Sequence, residues 1–297
     1  MGTKNGRKSI WYFDQSIRTW LAAMNFPFPS CGVLPGCSLI DVDGELYVSG
    51  GMFRTDFHRY DPEINEWEIL PGMEHPKMQH RMVWLNGFIY TLACDGFMER
   101  YNMEEKCWEE RCLLPEVDSE VEEHSVVAFK GKLIAAEVET DSIMSSTKVY
   151  DPIADRWYVQ EESCESFQTG TRTLTVQDGK CYQVIHTRTD GNFLTCQVNP
   201  LHCSFDDDDA ETLVVTVGDA IDQSPIPKNH CGAFCINGRV FVKLYGYIHR
   251  TDVTVHDGHL EMWSLRLWND ITHLTSGAAI TNFTFDRHRL HPAYTST

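Results

Sequence analysis

The chain has 297 residues, 42% hydrophobic and 23% charged, a composition that supports a sizeable folded core and excludes a disordered or collagen-like chain. Its 25 Lys and Arg against 43 Asp and Glu leave a net charge of −18, so nucleic acid and anionic membrane surfaces would be repelled rather than bound. With no long apolar run and no signal-peptide core, and with 11 scattered cysteines lacking a C-x-x-C pair, the chain reads as soluble and cytoplasmic, the nucleus being the alternative, with reduced thiols.

From the N-terminus, residues 9–24 carry the first predicted element, in which Phe13-Asp14 is followed by Trp20, seven positions after the phenylalanine. The same offset joins Tyr60-Asp61-Pro62 to Trp67, Tyr101-Asn102 to Trp108 and Tyr150-Asp151-Pro152 to Trp157, and a weaker version joins Val198-Asn199-Pro200 to Phe205. Successive rings at 20, 67, 108, 157 and 205 are separated by 47, 41, 49 and 48 residues. A period of this size marks one supersecondary unit repeated along the chain.

A turn dipeptide between short apolar runs keeps step with this period: Asp43-Gly44, Asn86-Gly87, Lys130-Gly131, Asp178-Gly179 and Asn237-Gly238. Asn-Gly and Asp-Gly suit two-residue type I′ hairpins, in which both central residues take positive φ. The flanks, such as 37–42 and 45–49, have the length of strands and are too short for helices. Segments 36–73, 79–116, 123–163, 170–220 and 229–274 therefore each read as four strands, the last holding Trp263 and Trp268 without the seven-residue offset. Four-stranded antiparallel units that cannot bury both faces alone imply radial packing into a propeller. Residues 9–24 supply a third and fourth strand, and 278–291 another, so the two ends are expected to share a sixth blade that closes the ring and covers its edges.

This pattern resembles the kelch repeat, most closely where Leu46-Tyr47-Val48-Ser49-Gly50-Gly51 precedes Tyr60-Asp61-Pro62-Glu63-Ile64-Asn65-Glu66-Trp67. The resemblance implies an all-β, six-bladed kelch β-propeller spanning 1–297 as a single domain. It is similar to the kelch domain of BTB-kelch substrate adapters, in which BTB and BACK domains bind a cullin scaffold and the propeller captures proteins for ubiquitination. With a blade strand already near residue 9, the chain is expected to hold only the recognition half, reaching a cullin ligase through domains it does not contain. The alternative is an actin-associated kelch scaffold, which would use the sides of the disc.

The recurring Trp and Tyr read as packing between sheets, with their polar tips reaching backbone carbonyls, and not as ligand groups. No G-x-S-x-G, H-E-x-x-H, P-loop or G-x-G-x-x-G run occurs, and the grouping of His249, His256 and His259 with Asp252 and Asp257 is read as a long loop. The chain is expected to be no enzyme and to carry no cofactor and no metal.

Binding is expected on the face holding the second-to-third-strand loops and the connections between blades, near 51–58, 73–81, 94–99, 115–124, 137–147, 160–172, 187–193, 223–231 and 245–256, because variable loops on a rigid scaffold carry recognition. Five carboxylates in 116–123, with Glu137, Glu139, Asp141, Glu161, Glu162 and Glu165, predict a negative sector suited to a basic protein or peptide partner. Candidate contacts are Glu120, Glu122 and Glu123, with Phe53, Arg54, Arg81, Phe97, Arg172, Tyr245, Tyr247 and Arg250 as aromatic or arginine anchors. The Asp206–Asp209 run reads as a solvated insertion near the opposite face.

Overall fold

Short strands joined by tight turns satisfy their backbone N–H and C=O groups only by pairing with one another. In the computed structural model they do so almost in chain order. The structure describes residues 2–4, 7–14, 19–25, 37–51, 54–77, 80–115, 124–137, 145–162, 170–177, 179–188, 193–204, 214–217, 222–227, 230–236, 239–244, 247–254 and 259–263. Side chains are described at 37–50, 54–77, 80–115, 124–136, 147–159, 173–176, 179–183 and 200–203.

All the described elements are strands, paired antiparallel in sheets that follow one another along the chain. Gly2–Lys4 (β1), Arg7–Asp14 (β2) and Thr19–Asn25 (β3) form the first sheet. Ser38–Val42 (β4), Glu45–Gly51 (β5), Arg54–Asp61 (β6) and Glu66–Leu70 (β7) form the next. It is followed by Arg81–Leu85 (β8), Phe88–Leu92 (β9), Met98–Asn102 (β10) and Cys107–Glu110 (β11). Then come His124–Phe129 (β12), Lys132–Glu137 (β13), Ser145–Asp151 (β14) and Arg156–Glu162 (β15). Gly170–Gln177 (β16), Lys180–Arg188 (β17), Phe193–Ser204 (β18), Val214–Val217 (β19) and Asp222–Pro227 (β20) make a five-stranded sheet. His230–Ile236 (β21), Arg239–Leu244 (β22), Tyr247–Thr254 (β23) and His259–Trp263 (β24) make the last. First strands of successive sheets lie side by side, β4 with β8, β8 with β12, β12 with β16 and β16 with β21.

Three of the hairpin dipeptides take the expected positive φ at both positions, while Asp178, Asn237 and Gly238 lie outside the described residues. Asp43 and Gly44 take φ of 54° and 85°, Asn86 and Gly87 51° and 85°, and Lys130 and Gly131 47° and 75°. The seven-residue offset has an equally direct cause. It places the two rings opposite each other across a four-residue turn, Tyr60 facing Trp67, Tyr101 facing Trp108 and Tyr150 facing Trp157, and the same backbone register pairs Phe13 of β2 with Trp20 of β3. The Asp or Asn after each tyrosine closes that turn with its carboxylate or amide oxygen, Asp61 accepting from Glu63 N at 2.9 Å, Asn102 from Glu104 N at 3.0 Å and Asp151 from Ile153 N at 2.8 Å.

The rings then join one sheet to the next. Tyr47, Phe57 and Leu70 pack on Met82, Tyr101 and Trp108, and Tyr90, Leu92 and Met98 pack in turn on Leu133, Tyr150 and Trp157. Each indole donates back to the preceding sheet, Trp108 Nε1 to the Pro71 carbonyl at 2.7 Å and Trp157 Nε1 to the Cys112 carbonyl at 3.0 Å. Serines on first strands add a second tie: Ser38 Oγ accepts from Met82 N at 3.0 Å and Ser125 Oγ from Leu174 N at 2.8 Å.

The fifth sheet departs from the expected plan. Val198-Asn199-Pro200 is not a turn, because β18 runs through it to Ser204 and pairs with β17 along this stretch. Two segments share its other edge: β20 pairs with Phe193–Val198 and β19 with Leu201–Ser204. Asn199 and Pro200 fall between these partners, where a proline lacking an N–H breaks no ladder bond. The sheet therefore reaches Pro227. In the last sheet Trp263 ends β24, in register with Arg250 of β23 rather than with a residue beside the turn. The N-terminal sheet has an additional strand, β1, that the reading of 9–24 lacked. Phe205, the run 206–209, Trp268 and the strand expected at 278–291 lie outside the described residues. No helix among the described residues is long and apolar enough to cross a membrane.

Candidate partner-binding face

Antiparallel order divides the connections between the two ends of the strands. Hairpin turns and the turns after the tyrosines lie at one end, and second-to-third-strand loops and inter-sheet connections lie at the other. Between the sheets β4–β7 and β8–β11, this second end has a connection, 71–80, held by side chains from both sheets.

Its first tie is backbone. Met73 N donates to the Thr55 carbonyl at 2.9 Å, with Gly72 so close that a Cβ there would lie 2.8 Å from the same oxygen. Its second tie is Glu99, on β10, whose side chain is 1% exposed. Glu99 Oε1 accepts from Glu74 N at 3.0 Å and His75 N at 3.2 Å, while Oε2 sits 2.6 Å from Nζ of the equally buried Lys77. An ion pair removed from water needs such added hydrogen bonds to offset desolvation. His75 places Nδ1 3.4 Å from both Glu99 Oε1 and Glu110 Oε1, and its ring packs on Phe97 at 5.6 Å.

Two histidines, each six positions before a hairpin turn, reach the sheet before them. Buried His80 Nε2 hydrogen-bonds Ser49 Oγ, and His124 Nε2 donates to the Cys94 carbonyl at 3.2 Å. Burial pulls the His80 imidazole down to about 3, with Lys77 and Arg81 acting in the same direction. His80 is thus a neutral strut.

The predicted contact residues fall on this framework as follows. Arg54 begins β6 and pairs with Asp56; Arg81 begins β8 opposite Leu92; Phe97 stands in the loop between β9 and β10, 41% exposed. All three lie at the loop-bearing end. Arg172 lies on β16, and Tyr247 and Arg250 lie on β23, with side chains outside the described residues. Phe53, Glu120, Glu122, Glu123 and Tyr245 lie outside the described residues altogether. Residues 54–58 and 247–254, read as loop from the sequence, are strand, because 54–58 and 247–250 continue the ladder of the second strand beside them and 251–254 pair with β24. His249 is likewise on β23 rather than in a loop.

Sequence reasoning missed Lys77, Glu99, His75 and His80. A signal existed for Glu99: an ionisable, buried residue stands two before each tyrosine, His58 before Tyr60, Glu99 before Tyr101 and Lys148 before Tyr150. Each belongs to the same row of its sheet, opposite Val48, Thr91 and Ala135.

Two further groups of titratable side chains stand out among the described residues. Glu105, Cys107 and Glu109 bring ligand atoms within 4.8 Å of one another, but Glu109 is held by Arg100 at 2.9 and 2.8 Å and also pairs with Arg111, so a metal there would compete with two guanidinium groups. Burial pushes the Cys181 thiol up to about 12 and the Cys203 thiol up to about 11, which leaves both uncharged and poor nucleophiles.

Comparison with known proteins agrees with the repeat. The kelch motif model matches residues 33–74. The kelch repeat and BTB domain-containing protein 12 of Danio rerio is 33% identical over 109 residues, 30% of this chain and 17% of that protein. Kelch-like protein 23 of Homo sapiens is 32% identical over 106 residues, 33% of this chain and 18% of its own length, and that of Pongo abelii is 38% identical over 80 residues, 27% and 13%. The matched stretches thus span less than a fifth of these relatives. By its repeats the chain resembles BTB-kelch proteins.

Proposed function

We propose that this chain is a non-catalytic interaction module that recognises a protein or peptide through its loop-bearing face. Its place, in this reading, is the substrate-recognition propeller of a BTB-kelch type ubiquitin-ligase adapter, with six blades and the 278–291 strand closing the ring beside 9–24. Kelch repeats and the likeness to BTB-kelch proteins support an interaction module. The observation that carries the choice of face is the connection 71–80, which Glu99 of β10 holds by a buried ion pair with its Lys77 and by hydrogen bonds from the Glu74 and His75 backbone. A variable segment held this firmly presents its outer groups without loss of loop entropy on binding, which is what a recognition surface needs.

Affinity capture from cell lysate, run beside a variant carrying Arg81→Ala, Arg172→Ala and Tyr245→Ala, tests this. Partners captured by the wild type and lost by the folded variant support recognition on this face. Partners kept equally by both would move binding to the sides of the disc and favour the cytoskeletal scaffold.

A further inference from the structure

We propose that the ring pair of His75 and Phe97, flanked by Glu74, Asp95 and Glu110, is a seat for an arginine side chain of a basic peptide partner. This rests on the reading of the loop-bearing face as a protein-binding surface and names the chemistry of one contact on it.

The platform is fixed before any ligand arrives. Phe97 ends a compact turn in which Gly96 N donates to the Ala93 carbonyl, Ala93 N to the Phe97 carbonyl and Leu114 N to the Gly96 carbonyl, each at 3.0 Å. Asp95 Oδ1 accepts from Phe97 N at 3.2 Å, which fixes the backbone that carries the ring. His75 is held from beneath by Glu99, and its ring lies at 32° to that of Phe97. Backbone bonds thus fix the position of Phe97, whose ring stays 41% exposed beside His75.

Carboxylates lie beside the ring pair. Glu110 is 67% exposed and touches His75; Asp95 and Glu74 are exposed, one bonded to Phe97 and the other next to His75 in the chain. The neighbouring cations are committed elsewhere, Lys77 buried against Glu99 and Arg111 paired with Glu109 and Asp155. An aromatic face with carboxylates at its rim is electrostatically complementary to a cation. Guanidinium suits it better than ammonium, because its plane stacks on a ring while its edge donates in parallel to a carboxylate, and it is the more weakly hydrated of the two.

The test uses the isotope-labelled full chain with a blocked Gly-Arg-Gly peptide and its citrulline counterpart, which has the same shape without the charge. Backbone amide shifts of His75 and Phe97 are followed by NMR at millimolar peptide. Saturable shifts at both residues with the arginine peptide, much smaller with citrulline, are expected. Phe97→Leu, at an exposed position that should not disturb folding, is expected to weaken the response about two- to fivefold, and Glu110→Gln to weaken it and flatten its salt dependence. Equal response to both peptides, shifts that bypass His75 and Phe97, or no shifts would overturn the proposal. Partner capture that persists in Phe97→Leu with Glu110→Gln would overturn this seat and leave the protein-binding reading standing.

Discussion

Tyr150 donates its hydroxyl to Oδ1 of Asp155 at 2.5 Å, across the turn that joins β14 to β15, and Asp155 takes the left-handed φ of 48°. Tyr60 and Asn65 repeat the arrangement at 2.6 Å, with φ of 57° at Asn65. In the sheet between them Lys106 takes φ of 55° but offers no acceptor, and the buried Tyr101 hydroxyl has no partner among the described residues. Lys106→Asn supplies an acceptor and a residue that tolerates this conformation, so a gain of about 1 kcal/mol and about 2 °C in Tm is expected. Thermal unfolding measures it, and an unchanged or lower Tm would mean the hydroxyl is already satisfied.

The first glycine of the doublet that ends β5 has a steric cause. A Cβ on Gly50 would lie 2.4 Å from the Arg54 carbonyl oxygen, a backbone atom that cannot swing away. Gly50→Ala is expected to cost about 2 kcal/mol or more by chemical denaturation. Gly87, with φ of 85° and open space around it, should lose only about 1 kcal/mol as alanine. Equal losses would show that conformation, not contact, governs both sites.

The Lys77–Glu99 pair is buried on both sides. Glu99→Gln leaves the Lys77 ammonium without its counter-charge and is expected to cost about 3–5 kcal/mol. Adding Lys77→Met removes the stranded charge, so the double variant should be more stable than Glu99→Gln alone. A double variant less stable than that single one would show that packing of the lysine stem, rather than charge pairing, holds 71–80.

His80 makes stability depend on acid. Burial holds its folded pKa near 3 against an ordinary 6.5, so its unfolded form takes up a proton first as pH falls. The contribution is complete above 6.5 and declines below it toward 3 at about 1.4 kcal/mol per pH unit. His58, lowered by burial against the opposing influence of Asp56, adds in the same direction. His80→Gln keeps a group able to bond Ser49 and should flatten the decline; an unaltered acid slope in this variant would assign it to other groups.

Much of the architecture was legible because it repeats. Ring offset, turn dipeptides and the Asp or Asn after each tyrosine are local rules, each satisfied within a dozen residues, so the sheets between 38 and 162 follow the expected order. Where the signal weakened, pairing across the sheet decided. Val198-Asn199-Pro200 looks like a turn, yet β17 offers a ladder partner for the whole of it.

The candidate face divides in the same way. Sequence alone determined that the loops between second and third strands and between sheets gather at one end, because antiparallel alternation permits nothing else, and it placed Arg54, Arg81 and Phe97 there. Only the tertiary structure decided that Glu99 meets Lys77 and His75, residues 22 and 24 positions away, or that His80 meets Ser49 31 positions away. Such pairings depend on how one sheet stacks on the next, and stacking is set by the ring packing of Tyr47, Phe57, Tyr101 and Trp108 between them. No local periodicity encodes it.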